Sequence, residues 1–297
     1  MQLDLVSLLT PCYNTAAYIH RLLDSVLIQT YPAIEMVCID DGSSDNVAEI
    51  VESYIPKFEA RGYSLRLIKQ ANQGQSAAIN NGLKFLNGKY FAWPDSDDFY
   101  STPEAIAKMV GVLKAAPKGF AMARAVEDIV EDGTFKVMGV NGLNRPYYED
   151  AKLFVECLFQ TNGYYFCPGA YMVDFEVLKE ETDLEIYASH DAGQNWQLML
   201  PVLYRHRCIT IPEHLYNVVN RAMSHSRGQY AGFTKTIQKY RSYERTIIAT
   251  LVRIKGMSKA ELRRYRTLIM FKYAWVRLRA GLSIIKHFVL LSGDRHA

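Results

Sequence analysis

The stretch LDLVSLLTPCYNTAAYIHRLLDSVLIQTYPAIEMVCIDDGSSD, residues 3–45, sets the fold class. LDLVSLLT (3–10) is an apolar run of strand length that closes on the polar cluster PCYN (11–14). Across 16–30, Ile19, Leu22, Leu23, Val26 and Leu27 recur at helical spacing, the mark of an amphipathic helix. IEMVCID (34–40) is a second strand ending at Asp40-Asp41-Gly42. Ser43, Ser44 and Asp45 then supply capping chemistry for a helix starting at Val47. Further on, SLRLIKQ (64–70) reads as a strand, SAAINNGLKFL (76–86) as a helix and KYFAW (89–93) as a fourth strand. Strand and helix alternating through short connections predict an α/β fold with a parallel sheet and right-handed crossovers.

Ligands of such sheets bind at the carboxyl ends of the strands. Polar clusters stand at all four ends: PCYN, DDGSSD, NQGQ (72–75) and DSDD (95–98). Any one of them is an ordinary turn composition; four on one rim describe a site. The last cluster places Asp95, Asp97 and Asp98 within four positions, directly after an apolar strand. Acids so close to buried surface repel one another and lose hydration. A hard divalent cation, Mg²⁺ or Mn²⁺, suits oxygen ligands and cancels that repulsion.

A chain of 297 residues has room for one large α/β domain with an appendage. Five cysteines, odd in number and without a CxxC pair, argue against a disulfide framework or a structural zinc site. Cys12 and Cys38 fall in apolar runs and read as small core residues. No basic segment precedes the first strand, so no signal peptide is expected and a reducing cytoplasm is the expected compartment. A helix is predicted over 103–116, weaker strands around 120–140 with a turn at Glu131-Asp132-Gly133, and a helix over 149–160. A Gly/Pro segment, FCPGAYMVD (166–174), follows, then a helix over 194–205, and the remainder is expected to be mostly helical.

PCYN, IDDGSSD (39–45), NQGQSAAINNGL (72–83) and DSDD, in this order and spacing, resemble a family 2 glycosyltransferase of the GT-A fold, over about residues 3–225. The resemblance implies a Rossmann-like, mostly parallel central sheet flanked by helices, with a helical extension at the C-terminus. It implies inverting transfer of a hexosyl or N-acetylhexosaminyl group from a UDP-sugar to a saccharide or polyprenyl-linked acceptor, in cell-surface polysaccharide synthesis. The implied donor-binding residues are Pro11 and Tyr13 beside the nucleobase, Asp41 on the uracil N3–H, Asn80, Asp95 and Ser96. Asp97 and the late His225, in SHS (224–226), are the implied metal residues; a structural or solvated histidine is the other option for His225. Pro168-Gly169-Ala170 resembles the family's acceptor-side turn, or is a plain turn before a strand. Residues 1–225 form the expected catalytic domain and 226–297 a separate helical region.

Two positions depart from the family pattern. Many members carry Arg where this chain has Ile79, which is expected in the core of its helix. The family's catalytic Asp position reads Gln194-Asn195 here, and an amide cannot act as a general base. Asp191, about one helical turn earlier, is the nearest substitute; an N-cap for the following helix is the equal alternative. A sugar-nucleotide-binding protein without transfer activity therefore stands as a second function. A nucleotidyltransferase on a similar sheet is a third, but no Gly-rich, Arg/Lys-bearing loop follows the first strand.

The C-terminus has its own electrostatic character. Residues 253–287 carry ten Lys/Arg against one acid, Glu261, a balance of +9. Residues 1–252 carry 23 against 29, a balance of −6. Leu268, Phe271, Trp275, Leu278, Leu282, Ile285 and Val289 recur at spacings of three and four. Charged residues interrupt the run well short of the ~20 apolar positions that span a bilayer, so no transmembrane helix is expected. Three roles remain for this stripe: packing on the catalytic domain, contact of 253–291 with an anionic membrane (the inner face of the cell membrane), or pairing in a homodimer. No nucleic-acid motif is found and no nucleic acid is expected as a partner.

Overall fold

The computed structural model describes residues 4–141, 153–161, 167–187, 193–221 and 233–293. These residues fall into two compact units, one holding the described residues up to Asn220 except Gly193, the other holding Gly193 and everything from Arg221.

The first unit is built on a nine-stranded sheet. Its first half consists of β1 (Val6–Cys12), β2 (Ile34–Asp40), β3 (Ser64–Lys69) and β4 (Tyr90–Ala92), in the order β3-β2-β1-β4 and parallel throughout. β1 and β2 are buried at every position, as expected of strands covered on both faces. Val6, Leu8, Met36 and Cys38 share one core with Leu22 and Val26 of α1 (Ile19–Leu27), Val51 of α2 (Val47–Arg61) and Ile106 of α4 (Ala105–Ala115). Leu9, Val37 and Ile39 alternate onto the opposite face, where α3 (Gln75–Gly82) packs. All five cysteines are buried thiols.

The second half is mixed. β5 (Phe99–Tyr100), β6 (Phe120–Glu131), β8 (Tyr171–Asp174) and β9 (Arg207–Asn220) extend the order as β4-β8-β6-β9-β5, and β7 (Val137–Asn141) forms a hairpin with β6. The expected turn at Glu131-Asp132-Gly133 is the tip of that hairpin, closed by Glu131 N–H donating to the Lys136 carbonyl at 2.9 Å. α5 (Phe154–Phe159), α6 (Phe175–Glu181) and α7 (Gln194–Arg205) complete this unit.

The expectation of a mostly helical remainder after 205 fails for β9. This strand runs 14 residues and pairs in parallel with β6 along its length. The register shift at Ala125/Val126 leaves Pro212 and Glu213 without partners in β6, and the one at Val126/Glu127 leaves Leu215 without one. That bulge breaks the two-residue alternation by which a strand is read from sequence.

The second unit is a pair of helices, α8 (Phe233–Arg253) and α9 (Lys259–Gly293). α9 begins with a reciprocal capping box: Glu261 N–H donates to Ser258 Oγ at 3.1 Å, and Ser258 N–H to Glu261 Oε2 at 3.1 Å. No described helix is long and apolar enough to cross a membrane.

Candidate functional site

The four polar clusters are joined into one rim by hydrogen bonds between them. Asn14 sits at φ +51°, a left-handed conformation that Asn tolerates, and its Oδ1 accepts from Ser44 N–H at 2.8 Å. Ser43 Oγ accepts in return from Asn14 N–H at 3.0 Å. Asp45 bridges both sides, accepting from Ala16 N–H at 2.8 Å and Val47 N–H at 3.2 Å. The first cluster is therefore locked to the second.

Asp41 locks the second to the third. Its Oδ1 accepts from Gln70 Nε2 at 2.8 Å and Gln73 N–H at 2.9 Å, and its Oδ2 from Gly74 N–H at 2.8 Å. The carboxylate is buried, and three donors account for three of its roughly four acceptor positions. Gly42, at φ +71°, lets the loop pass: a Cβ there would lie 2.8 Å from Asn72 N. Sequence reasoning missed Gln70, whose only signal was its place at the carboxyl end of β3.

The third cluster reaches the fourth through Gln75 Nε2, which donates to Asp95 Oδ1 at 3.3 Å. Thr10 Oγ1 holds the fourth loop to β1 by donating to the Pro94 carbonyl at 3.0 Å. The three acids of this loop differ in surroundings. Asp95 and Asp97 are half-buried at the rim, whereas Asp98 is buried and its Oδ1 accepts from Val219 N–H of β9 at 2.8 Å. Ser96 between them is buried as well.

Pro11 and Tyr13 diverge. In a parallel strand the N–H and C=O of a residue face the same neighbour. The Cys12 carbonyl accepts from Asp41 N–H, so Cys12 faces β2 and the donor that Pro11 lacks faces the β4 side. There the ladder has already stopped at Leu8 and Ala92, which makes Pro11 tolerable in a central strand. Pro11 is buried, and Tyr13 stands 52% exposed above it.

Asn80, expected among the donor-binding residues, lies on α3 next to Ile186. Its carboxamide is engaged at both ends by the backbone of Ile186, with 2.8 Å bonds in each direction. Ile79 is fully buried in the core, as expected. Asp191 and His225 lie outside the described residues.

Beside the acid loop lies a pocket lined by Trp93, Cys167, Pro168, Tyr171, Asn195 and Met199, among others. Pro168–Ala170 forms a single 3₁₀ turn, and Gly169 rests on the ring of Tyr216, where a Cβ would come within 2.1 Å of Cζ. Asn195, at the start of α7, lines this pocket.

Beneath loop and turn lie the buried titratable groups Glu127, Cys167 and Tyr216. Burial pushes the Glu127 carboxyl up to about 7, partly opposed by a bond from Asn141 Nδ2 at 3.4 Å. Burial, reinforced by Glu127, Asp98 and Asp95, holds the Cys167 thiol well above its usual range. Burial likewise raises the Tyr216 phenol, with Asp98, Cys167 and Asp95 adding to it. Among the described residues no three His, Cys, Asp or Glu side chains converge as a ready metal cage. Carboxylate oxygens on this rim nevertheless suit Mg²⁺ or Mn²⁺, which Asp97 would hold.

The model of the glycosyl transferase family 2 matches residues 7–181, more than half of the chain. The chain belongs to that family. The uncharacterized glycosyltransferase EpsJ of Bacillus subtilis (strain 168) is 41% identical over 100 residues, 34% of this chain and 28% of that protein. Glycosyltransferase GlyA of Streptococcus pneumoniae serotype 4 is 38% identical over 96 residues, 32% of this chain and 13% of its own. The match thus spans under a third of these relatives' length. Among solved structures, S. aureus TarS 1–349 in complex with UDP-GlcNAc superposes with a TM-score of 0.69 at 19% identity, covering 94% of this chain and 75% of TarS. The mannosyltransferase PcManGT of Pyrobaculum calidifontis, with GDP-Man and Mn²⁺, gives 0.60 at 17% identity, covering 98% and 80%. The fold of this family 2 chain is accordingly GT-A, and the rim of acids and amides sits on its parallel half.

Proposed function

We propose that this family 2 chain is an inverting, metal-dependent glycosyltransferase that moves a hexosyl or N-acetylhexosaminyl group from a UDP-sugar to a saccharide or lipid-linked saccharide. The observation that carries this is the Asp41 carboxylate, fixed by Gln70, Gln73 and Gly74 on the same rim as Asp95 and Asp97. A carboxylate that cannot turn, with one acceptor position left on Oδ2, suits a single N–H such as uracil N3–H. Tyr13 supplies an exposed ring for the base, Asp95 and Ser96 face ribose and diphosphate, and Asp97 faces the metal, with His225 as its later partner. When bound, Mn²⁺ or Mg²⁺ supplies charge stabilisation of the departing diphosphate. The UDP-GlcNAc bound by TarS and the GDP-Man and Mn²⁺ bound by PcManGT support this class of donor and cofactor.

The acceptor hydroxyl enters from the Pro168–Asn195 pocket, and Asp191 takes its proton. Asn195 can orient that hydroxyl but not deprotonate it. In this proposal residues 1–225 form the catalytic domain and 226–297 a separate tail. The reaction serves assembly of cell-surface polysaccharide at the cytoplasmic face of the membrane.

The test is UDP release from a panel of UDP-sugars with Mn²⁺ and then with EDTA. Release from one donor, dependent on metal and lost in Asp97→Ala, supports the enzyme and names the sugar. Asn195 in the pocket favours one rival, a binding protein without transfer activity. For that rival Asp191→Asn changes nothing; for the enzyme it lowers turnover by about 10² or more while sparing UDP binding. Absence of UDP binding altogether would overturn both.

A further inference from the structure

We infer that α9 carries a docking face for an anionic lipid surface, formed by Leu268, Phe271, Trp275 and Leu278. α9 is apolar on two sides. One side packs on α8: Ile269 and Tyr273 are buried, the Tyr273 ring lies 6.4 Å from that of Tyr240, and Arg277 pairs with Glu244. The helical repeat of about 100° per residue puts Leu268, Phe271, Trp275 and Leu278 on another side, as a stripe about 15 Å long. These four are 42, 70, 59 and 54% exposed. From Leu268 to Leu278, the periodic apolar pattern of the sequence is therefore not the face that packs. A helix held by one buried face has no packing need for a second, exposed one rich in aromatic residues.

Charge identifies the occupant. Arg263, Arg264, Arg266 and Arg279 are exposed on the same helix, with Arg264 one turn before Leu268 and Arg279 one turn after Trp275. Residues 253–287 have a balance of +9. A second copy of this helix would bring the same charge against itself, whereas an anionic bilayer neutralises it. Phe, Trp and Leu flanked by Arg suit the boundary between headgroups and acyl chains, where the ring enters and the guanidinium stays at the phosphates. Lipid docking would serve the lipid-linked acceptor proposed above, yet it requires no transfer activity, and its test is independent of it.

The structure also provides the reporter. Trp93 and Trp196 are 3% and 6% exposed, so Trp275 is the tryptophan whose emission senses the surroundings. Full-length protein is titrated with vesicles of phosphatidylcholine alone and of phosphatidylcholine with phosphatidylglycerol. The expected result is a blue shift and co-sedimentation with the anionic vesicles, weakened by salt. Phe271→Ser and Leu278→Ser, which keep the reporter, weaken partitioning about tenfold or more. Both side chains are exposed, so an unchanged thermal melt verifies that the variants fold. No vesicle binding, or equal binding to neutral and anionic vesicles, would overturn the inference. So would a concentration-dependent dimer that Phe271→Ser dissociates, which would make the stripe a self-association face.

Discussion

Asn80 and Ile186 hold each other in both directions, side-chain amide to carbonyl and backbone amide to side-chain oxygen, each at 2.8 Å. One residue on, Tyr187 N–H donates to Gln197 Oε1 at 2.9 Å. The segment after α6 is thereby tied to α3 and to α7, which carries Asn195. Replacing Asn80 with Ala leaves two partly buried backbone groups of Ile186 unpaired, at a cost of about 1–3 kcal/mol. Urea unfolding should show this loss while UDP affinity changes less than about threefold. A large fall in UDP affinity without loss of stability would return Asn80 to the donor site.

Asp97 and Asp98 are neighbours with opposite expected phenotypes. Asp97→Ala should abolish metal-dependent UDP binding in calorimetry and leave the melting temperature nearly unchanged. Asp98→Ala removes the acceptor for Val219 N–H and should lower unfolding free energy by about 1.5–3 kcal/mol, with metal-dependent binding retained in the folded fraction.

Gly169→Ala places a methyl carbon inside the ring of the buried Tyr216. Neither the 3₁₀ turn nor a fully buried phenol can yield cheaply, so a loss of about 3 kcal/mol or more is expected. Combining it with Tyr216→Leu should recover part of that loss in chemical denaturation. A freely tolerated Gly169→Ala would contradict the packing.

Glu127 should make stability fall as pH rises through the weakly acidic range. Its folded-state carboxyl titrates near about 7 against an unfolded value of 4.5, because burial disfavours the charge. Between those values the folded protein holds a proton that the unfolded chain releases, so folding weakens as pH rises and levels off above about 7. The full effect is at most about 3 kcal/mol. Glu127→Gln should remove this share, and denaturant midpoints of the two proteins measured from pH 5 to about 8 would then diverge most at the alkaline end.

Much of the rim was legible because its chemistry is local. The alternation of strand and helix placed PCYN, DDGSSD, NQGQ and DSDD on one edge, and the pairing of β1, β2, β3 and β4 confirms that edge. The division of labour within DSDD was not legible. Asp98 is turned away by a backbone amide 121 positions later in the chain, a partner no local pattern announces. The bond from Asn80 to Ile186 was not legible for the same reason, its partner being 106 positions away.

What the sequence determined by itself was the parallel half of the sheet, the four rim clusters and the separate charge of the C-terminus. Each rests on short-range periodicity or composition. What only the tertiary structure decided was β9, broken by the Pro212-Glu213 bulge, and the packing of Gly169 on Tyr216. It decided too that α9 buries Ile269 and Tyr273 and leaves Phe271 and Trp275 exposed. In each case the deciding contact joins elements far apart in the chain, and which apolar face meets a partner is set by that partner's position rather than by the helix itself.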